Sequence, residues 1–329
     1  YTDQDIVDKI DQLLSMDHTL YIKDYHDIVS GLEQLEIIPD ASYEQPVDII
    51  ARHQFDQAGE YYYLYNYNQL GIDPENPLSS LYPFIDKELA FQEKDVTITL
   101  KGEGKPYLMN GWDGTITPIS NYVQNNGSVT LNLHFDEDEA KMIALLTDEQ
   151  AEANGIAVSG TYVTQSEIPT GYQDGKLVAK ATQNGSYSFD LNNGETLSKT
   201  AIDVQQPFDI SSWNLQINAL RRGETDYFRD SVWELLDNIQ LTELKPWKEI
   251  NPELENVSGV GTYTATFYLD KGFQEGYGAY IELGEVEDSF KLTINGTELE
   301  PVNQINTIFD IGEYLIKDEN TIQIEVSTT

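Results

Sequence analysis

The sequence contains no cysteine among its 329 residues. This absence excludes thiol catalysis, disulfide bonds and cysteine-ligated zinc. It does not decide the compartment, because secreted proteins can also lack cysteine, so cytoplasmic and secreted locations both stay open. No signal peptide is evident, and the longest apolar run, near residues 142–146, is far too short for a transmembrane helix.

Basic side chains are scarce: 19 Lys and Arg stand against 57 Asp and Glu, which gives a net charge of −38. Such a surface repels phosphate backbones and anionic lipid, so we expect neither nucleic acid nor a membrane as a partner. The charge is compatible with neutral ligands such as sugars and with cations. Its simplest consequence is solubility.

Familiar catalytic motifs are also missing. The four histidines show neither the i, i+4 spacing nor the HExxH pattern of a zinc site. No Gly-x-Ser-x-Gly elbow occurs, and the Gly102-Glu103-Gly104 turn lacks the third glycine and the helix of a dinucleotide site. The sequence therefore offers no triad and no recognisable cofactor motif.

Residues 1–40 form the helical part of the chain. Thr2 and Asp5 follow the pattern of a capping box, and we expect Pro39 to end a second helix. A helical pair of this size cannot bury its own apolar face, so it is expected to pack on the β-rich part of the chain or on a region outside this chain. The two apolar stripes are Ile6, Ile10, Leu13, Leu14 and Ile28, Leu32, Leu35.

From about Val47 the apolar period changes to that of β-strands. Asn-Gly and Asp-Gly pairs recur between the alternating segments and predict tight turns. This spacing of strands and turns predicts a β-sandwich of roughly 150 residues, close to a common domain size. The predicted strands include 61–66, 96–100, 129–133, 141–146 and 187–191.

The last third of the chain predicts a second antiparallel sandwich or jelly roll. Residues 263, 265, 267 and 269 are apolar and alternate with the more polar residues 262, 264, 266 and 268, which indicates a strand with one buried face. Asn295-Gly296 predicts a hairpin turn. Residues 207–212 connect the two sandwiches, a strand begins at Trp213, and residues 231–238 predict a short helix.

Three stretches of this sequence resemble the non-catalytic C-terminal half of bacterial family 106 α-L-rhamnosidases. They are YYYLYN at 61–66, VTITLKGEGKPYLMNGWDGTITPISNY at 96–122, and the series that begins with WKEI at 247–250 and ends with TIQIEV at 321–326. The last series also resembles the sugar-binding jelly roll of family 2 β-galactosidases. One departure is Asp318, where the family usually has a glycine before the last turn; Asp tolerates a left-handed conformation there.

The resemblance implies an all-β chain of two β-sandwich or jelly-roll domains with a small helical N-terminal stub. The expected limits are 1–45 for the stub, 46–206 for the first sandwich and 207–329 for a galactose-binding-like jelly roll. The catalytic barrel of such enzymes lies upstream, and nothing here resembles it. The chain also starts at Tyr1 rather than Met, so we expect a fragment whose partner is the upstream barrel.

Sugar sites commonly place an aromatic plate under the apolar face of a sugar, with amide or carboxylate partners for its hydroxyl groups. Trp112 and Trp247 are the candidate plates, and Asp113 is the candidate carboxylate partner beside Trp112. The alternative for both tryptophans is packing across the end of a sandwich. Trp213 and Trp233 are predicted to lie in the core.

Carboxylates are too numerous for sequence proximity to identify a catalytic pair. We expect surface solvation for the candidates of that type, and for Glu285 and Glu287 a contact at the rim of a site at most. No cofactor is expected; a calcium loop at residues 136–139 is the one metal site considered, against the simpler reading of a solvated turn. The other candidate carboxylates are Glu253, Glu255 and Glu282.

These features favour an accessory part of a modular carbohydrate-active enzyme, which braces the catalytic region and can contact glycan. A free-standing glycan-binding or adhesive module of a bacterial surface protein is the alternative. A complete hydrolase with an unrecognised site is a third reading, and it requires two facing acids in a cleft.

Overall fold

The computed structural model describes residues 2–45, 47–66, 93–136, 139–158, 160–223, 231–269, 273, 277–299 and 302–328, without the side chains of residues 237 and 238. The chain divides into two compact units. Unit 1 comprises Tyr1–Leu108 and Thr117–Gln165, and unit 2 comprises Met109–Ile116 and Ser166–Thr329. The domain limits expected at residues 45 and 206 stay predictions.

Helices are short and few in the described part of the chain, and none of them is long and apolar enough to cross a membrane. The α-helices are α1 (Asp3–Leu14), α2 (Ile28–Gln34), α3 (Asp148–Ala153) and α4 (Trp247–Ile250). Single 3-10 turns occupy Tyr25–Asp27, Pro252–Leu254 and Gly312–Tyr314.

Helix α1 begins with the predicted capping box. The Thr2 hydroxyl accepts the Asp5 N–H at 3.3 Å, and the Asp5 carboxylate accepts the Thr2 N–H at 2.7 Å. No residue of α1 is buried, so its apolar stripe faces solvent within this chain. The local sequence therefore forms the helix without help from a core.

The expectation that Pro39 ends the second helix is wrong. Helix α2 ends at Gln34, because Glu36 adopts a left-handed φ of 56°. The Ile37 N–H then bonds back to the Leu32 carbonyl at 3.0 Å, which closes the helix before the proline is reached.

Strands β1 to β9 form two sheets, in the orders β1-β4-β8-β7 and β2-β3-β9-β5-β6. Val96, Ile98 and Leu100 of β4 pack with Val129 and Leu131 of β8 in the core of unit 1, which confirms the predicted alternation. The bounds are β1 Ala41–Tyr43, β2 Ile49–Phe55, β3 Glu60–Asn66, β4 Lys94–Lys101, β5 Lys105–Met109, β6 Ile116–Pro118, β7 Val123–Asn125, β8 Ser128–Phe135, β9 Ala140–Leu146 and β10 Val163–Ser166.

Unit 2 is built on a six-stranded antiparallel sheet in the order β16-β15-β17-β22-β19-β20, with the smaller pairs β11-β12, β13-β14 and β18-β21. The bounds are β11 Thr170–Gln173, β12 Lys176–Ala179, β13 Gly185–Leu191, β14 Thr196–Ala201, β15 Trp213–Arg222, β16 Ser231–Leu241, β17 Ser258–Leu269, β18 Tyr280–Glu282, β19 Ser289–Ile294, β20 Thr297–Leu299, β21 Ile308–Asp310 and β22 Asp318–Thr328.

Strand β17 lies at the centre of this sheet and has the alternation that the sequence predicts. Tyr263, Ala265, Phe267 and Leu269 are buried in the core of unit 2, and the residues between them point to the other face. Burying side chains of the size of Phe267 and Leu269 contributes roughly 1.5–3 kcal/mol each. The core of unit 2 therefore lies against one face of the six-stranded sheet.

The hairpin predicted at Asn295-Gly296 joins β19 to β20, and both residues have positive φ, 51° and 81°. This pair of values is typical of a tight type I′ turn. The Asn295 amide also donates to the Tyr314 carbonyl and to the side chain of Asn320, both at 2.8 Å. Asp318, the first residue of β22, has a φ of 75°, which confirms the left-handed conformation expected at this position.

The short helix predicted at residues 231–238 is wrong, because this segment belongs to strand β16. Strand β16 pairs with β15 along its length, from Leu241 opposite Trp213 to Ser231 opposite Arg222. The register shifts between Leu215 and Ile217 of β15. Long-range pairing with β15 overrides the local pattern of this segment. The all-β fold expected from the sequence is confirmed.

Candidate functional site

The predicted plate Trp112 lies in the loop between β5 and β6 and is 44% exposed. The Asn110 side chain accepts the Trp112 N–H at 2.9 Å and donates to the Asp113 carboxylate at 3.1 Å. At the base of the loop, Asn110 and Thr115 are joined by a backbone hydrogen bond of 2.9 Å, and so are Gly114 and Asn110. The loop is closed by its own hydrogen bonds and presents the indole ring to solvent.

The candidate carboxylate Asp113 is used within the same loop. Its Oδ1 accepts the Thr115 N–H at 2.8 Å and the Thr115 hydroxyl at 2.6 Å, and its Oδ2 accepts the Asn110 amide. A carboxylate has about four acceptor sites, and these three hydrogen bonds occupy three of them. Asp113 therefore shapes the loop that carries Trp112, and its contact with a sugar stays a prediction.

The second predicted plate, Trp247, is the first residue of α4 and packs on the core of unit 2. Its indole N–H donates to the Tyr263 hydroxyl at 2.7 Å. Burial raises the pKa of Tyr263, and the hydrogen bond from Trp247 partly opposes this rise. Gly261 makes room for the indole, since a Cβ there would lie 2.6 Å from Trp247 Cζ2. Trp247 thus stabilises unit 2, and its role as a sugar plate stays a prediction.

The two tryptophans expected in the core differ from each other. Trp213 is 4% exposed and donates its indole N–H to the Ile210 carbonyl at 2.7 Å, which confirms the expectation. Trp233 is 57% exposed, so the expectation is wrong there. It pairs with Leu220 on the face of the sheet that points away from the core, and β16 is an edge strand of that sheet.

The glutamates considered as candidate acids are exposed to solvent, as the sequence predicts. Glu285 and Glu287 are both exposed and follow β18 in a segment without regular structure. The remaining candidates of this type are also exposed, which confirms surface solvation: Glu253, Glu255 and Glu282.

A histidine–carboxylate cluster that the sequence did not reveal surrounds His134. Its Nδ1 lies 3.0 Å from Asp95 Oδ1, and its Nε2 lies 3.5 Å from Asp136 Oδ1 and 3.9 Å from Glu93 Oε2. The hydrogen bond with Asp95 and the charges of all three carboxylates raise the pKa of His134, and partial burial opposes the rise. The only signal in the sequence was the alternation of β4 and β8, whose register places Asp95 opposite His134.

A second histidine, His53 on β2, has a structural role. Its ring nitrogens lie 3.1 Å from Asp40 and 3.2 Å from Glu60, and its ring stacks on Tyr62 at 4.3 Å. The hydrogen bond with His53 lowers the pKa of Asp40. The Tyr62 hydroxyl donates to the Lys101 carbonyl at 2.6 Å. Together these contacts tie the segment after α2 to strands β2, β3 and β4.

Part of the calcium loop considered at residues 136–139 lies outside the described residues, namely 137 and 138. In the part that is described, Glu139 accepts the Asp136 N–H at 2.9 Å and forms an ion pair of 2.5 Å with Lys141. Calcium binding there stays a prediction.

No protein-family model matches this sequence, and no curated protein matches it. Among solved structures, the chain is similar to a rhamnosidase from Novosphingobium sp. PP1Y, with a TM-score of 0.57 and 20% sequence identity over 99% of this chain. The match covers 25% of the rhamnosidase chain, so this chain spans about a quarter of its length. The chain therefore shares its fold with one region of a rhamnosidase.

Proposed function

We propose that this chain is an accessory, non-catalytic part of a modular carbohydrate-active enzyme, an α-L-rhamnosidase-like glycoside hydrolase of the family 106 type. The observation that carries the proposal is the fold likeness, which extends over 99% of this chain and only a quarter of the rhamnosidase chain. In this proposal the catalytic barrel belongs to the remainder of the same polypeptide, and the jelly roll expected at residues 207–329 braces it.

The exposed apolar stripe of the N-terminal helices supports contact with a catalytic region. Ile6, Ile10 and Leu13 of α1 are 53%, 47% and 56% exposed. Ile28 and Val29 of α2 are 47% and 68% exposed. Soluble proteins seldom leave contiguous apolar surface of this kind uncovered. The proposed cover is the upstream catalytic barrel of the same polypeptide.

This contact is tested with the substitution Ile10→Asp in two proteins, this chain alone and the complete gene product. We expect the thermal unfolding midpoint of the complete gene product to fall by several degrees, because a charge enters a buried contact, while that of this chain alone stays unchanged. Gln12→Asp, on the same helix, is the control and changes neither protein. Equal midpoints for wild type and Ile10→Asp in the complete gene product contradict the contact.

A second candidate function, a glycan-binding or adhesive module of a bacterial surface protein, is supported by the exposed indole of Trp112. In affinity electrophoresis with neutral soluble glycans, Trp112→Ala then loses the retardation that the wild-type chain shows. Trp233→Ala removes another exposed tryptophan, 57% exposed against 44% for Trp112, from the face of a sheet and is the matched control. Equal retardation of wild type and Trp112→Ala contradicts a glycan site at this loop.

A further inference from the structure

The cluster around His134 lies at one end of the sheet β1-β4-β8-β7 in unit 1. Glu93 directly precedes β4, and Asp136 directly follows β8. The two strands run antiparallel with Lys94 opposite Phe135, so the residue before one strand meets the residue after the other. The register of the sheet therefore brings together side chains that are far apart in the sequence.

The distances in this cluster are compatible with one small divalent cation. The ligand atoms of Glu93, His134 and Asp136 all lie within 4.8 Å of one another. A tetrahedral ion held at about 2.0–2.2 Å separates its ligand atoms by roughly 3.3–3.6 Å. The Nε2 of His134 is already 3.5 Å from Asp136 Oδ1 and 3.9 Å from Glu93 Oε2. Small rotations of exposed side chains are enough to complete this geometry.

Asp95 supplies the support that a metal-bound imidazole usually has. A ligating histidine generally donates its second ring N–H to a carboxylate or carbonyl, which fixes the tautomer and orients the ring. Asp95 Oδ1 lies 3.0 Å from Nδ1 of His134. Nε2 then faces Glu93 and Asp136 as the free ligand atom.

Asp136 is held in place before any ion binds. Its N–H donates to the Glu139 carboxylate at 2.9 Å, and its carbonyl accepts the Asn66 side-chain amide at 2.8 Å. The preceding residue, Phe135, is fully buried in the core. The side chain of Asp136 is 25% exposed, whereas those of His134 and Glu93 are 49% and 77% exposed. The backbone of one ligand residue is therefore fixed, and the side chains of the other two lie toward solvent.

We propose that Glu93, His134 and Asp136 form a binding site for a divalent transition-metal ion of the Zn²⁺ type, with Asp95 as the residue that positions the imidazole. An imidazole with two carboxylates favours zinc and its neighbours over calcium or magnesium, which prefer oxygen ligands alone. The net charge of −38 raises the local concentration of cations at this surface. Solvent occupies the fourth position. The site goes beyond the proposed accessory function and does not depend on it.

The test is isothermal titration of the chelator-treated chain with Zn²⁺. We expect one site, and His134→Ala and Asp136→Asn, which each remove a ligand, should weaken binding by more than about tenfold. Asp95→Asn weakens binding by about 10- to 100-fold, because it removes only the positioning hydrogen bond. His26→Ala is the matched control, since His26 also pairs with one carboxylate, Asp24, at 2.7 Å, and binding stays unchanged.

Titration with Co²⁺ gives a second readout, because a four-coordinate site gives visible absorption that an aqueous ion lacks. The absorption appears with the wild-type chain and is lost in His134→Gln, which keeps the size of the side chain. Unfolding midpoints measured without metal confirm that the variants fold. Zn²⁺ binding that is equal in wild type and His134→Ala, or absorption that persists in His134→Gln, overturns the proposal.

Discussion

Helix α1 and strand β17 both have one apolar face, and they differ in what covers it. Ile6, Ile10 and Leu13 of α1 remain about half exposed, whereas Tyr263 and Phe267 of β17 are 7% exposed each. Helix α1 is held by its capping box and its own hydrogen bonds, which leave a helix of 12 residues marginal by itself. Strand β17 is held by two neighbouring strands and a core. The apolar face of β17 is therefore covered within this chain, and that of α1 is not.

The sharpest contrast between these regions is expected from leucine substitutions. Leu292→Ala, at a fully buried position of unit 2, should lower the free energy of unfolding by about 3–4 kcal/mol, because it leaves a cavity. Leu13→Ala, at a position 56% exposed, should change it by less than about 0.5 kcal/mol. Urea unfolding followed by tryptophan fluorescence measures both. Similar losses from the two substitutions contradict the contrast.

The buried amide of Asn320 is expected to have the next largest effect. Asn320 is fully buried; its oxygen accepts the Ile316 N–H and the Asn295 amide, and its nitrogen donates to the Ile316 carbonyl, all at 2.8 Å. Asn320→Ala leaves these groups unpaired and should lower the free energy of unfolding by about 2–3 kcal/mol. Asn218→Ala, at an exposed position of β15, is the control for the same urea titration. A loss no larger than that of the control refutes a structural role for this amide.

Substitution of the two candidate sugar plates should lower the free energy of unfolding by different amounts. Trp247→Phe removes the hydrogen bond to the Tyr263 hydroxyl and should lower the free energy of unfolding by about 1 kcal/mol. Trp112→Phe should leave it within about 0.5 kcal/mol, because the ring is solvent-facing and the loop is closed by other groups. Chemical unfolding monitored by circular dichroism compares them without relying on the altered fluorophores. A larger loss for Trp112→Phe reverses the assignment.

The smallest expected effect is a partial loss of helix α1 at low pH. The hydrogen bond from the Thr2 N–H holds the pKa of Asp5 below its ordinary value of 3.8. Because the pKa is lowered in the helix, the stabilisation is fully present above the ordinary value and is lost as the pH falls through the lowered one. Far-UV circular dichroism should show a loss of helix signal below about pH 4 that is smaller in Asp5→Asn. Asp11→Asn, outside the capping box, should show the same loss of helix signal as the wild type. Equal curves for wild type and Asp5→Asn contradict a stabilising role for the Asp5 carboxylate.

Local patterns in the sequence were sufficient for features that depend on a few neighbouring residues. The capping box at Thr2, the turn at Asn295-Gly296 and the alternation of β17 each follow from steric preference or from the period of a strand. Strand β16 could not be predicted in this way, because its structure comes from pairing with β15 and not from its own residues. The failure at Trp233 has the same origin, since pairing opposite Leu220 places its ring on the face of the sheet that points away from the core.

The prediction of the candidate sites from sequence has the same limit. Sequence identified Trp112 and Trp247 as aromatic candidates of equal standing, and only the fold separates an exposed ring from one that is hydrogen-bonded over a core. Glu93 and His134 are far apart in the sequence and meet because β4 and β8 pair in one particular register. Register depends on the whole sheet, so no motif search finds such a cluster.

One assay decides whether this chain contributes structure or chemistry. The purified chain and the complete gene product are incubated in parallel with an aryl α-L-rhamnoside. We expect the complete gene product to release the aryl group, and the chain alone to give no product above the buffer blank. Hydrolysis by the chain alone at an ordinary enzymatic rate, on the order of 1–10³ s⁻¹, contradicts the accessory role.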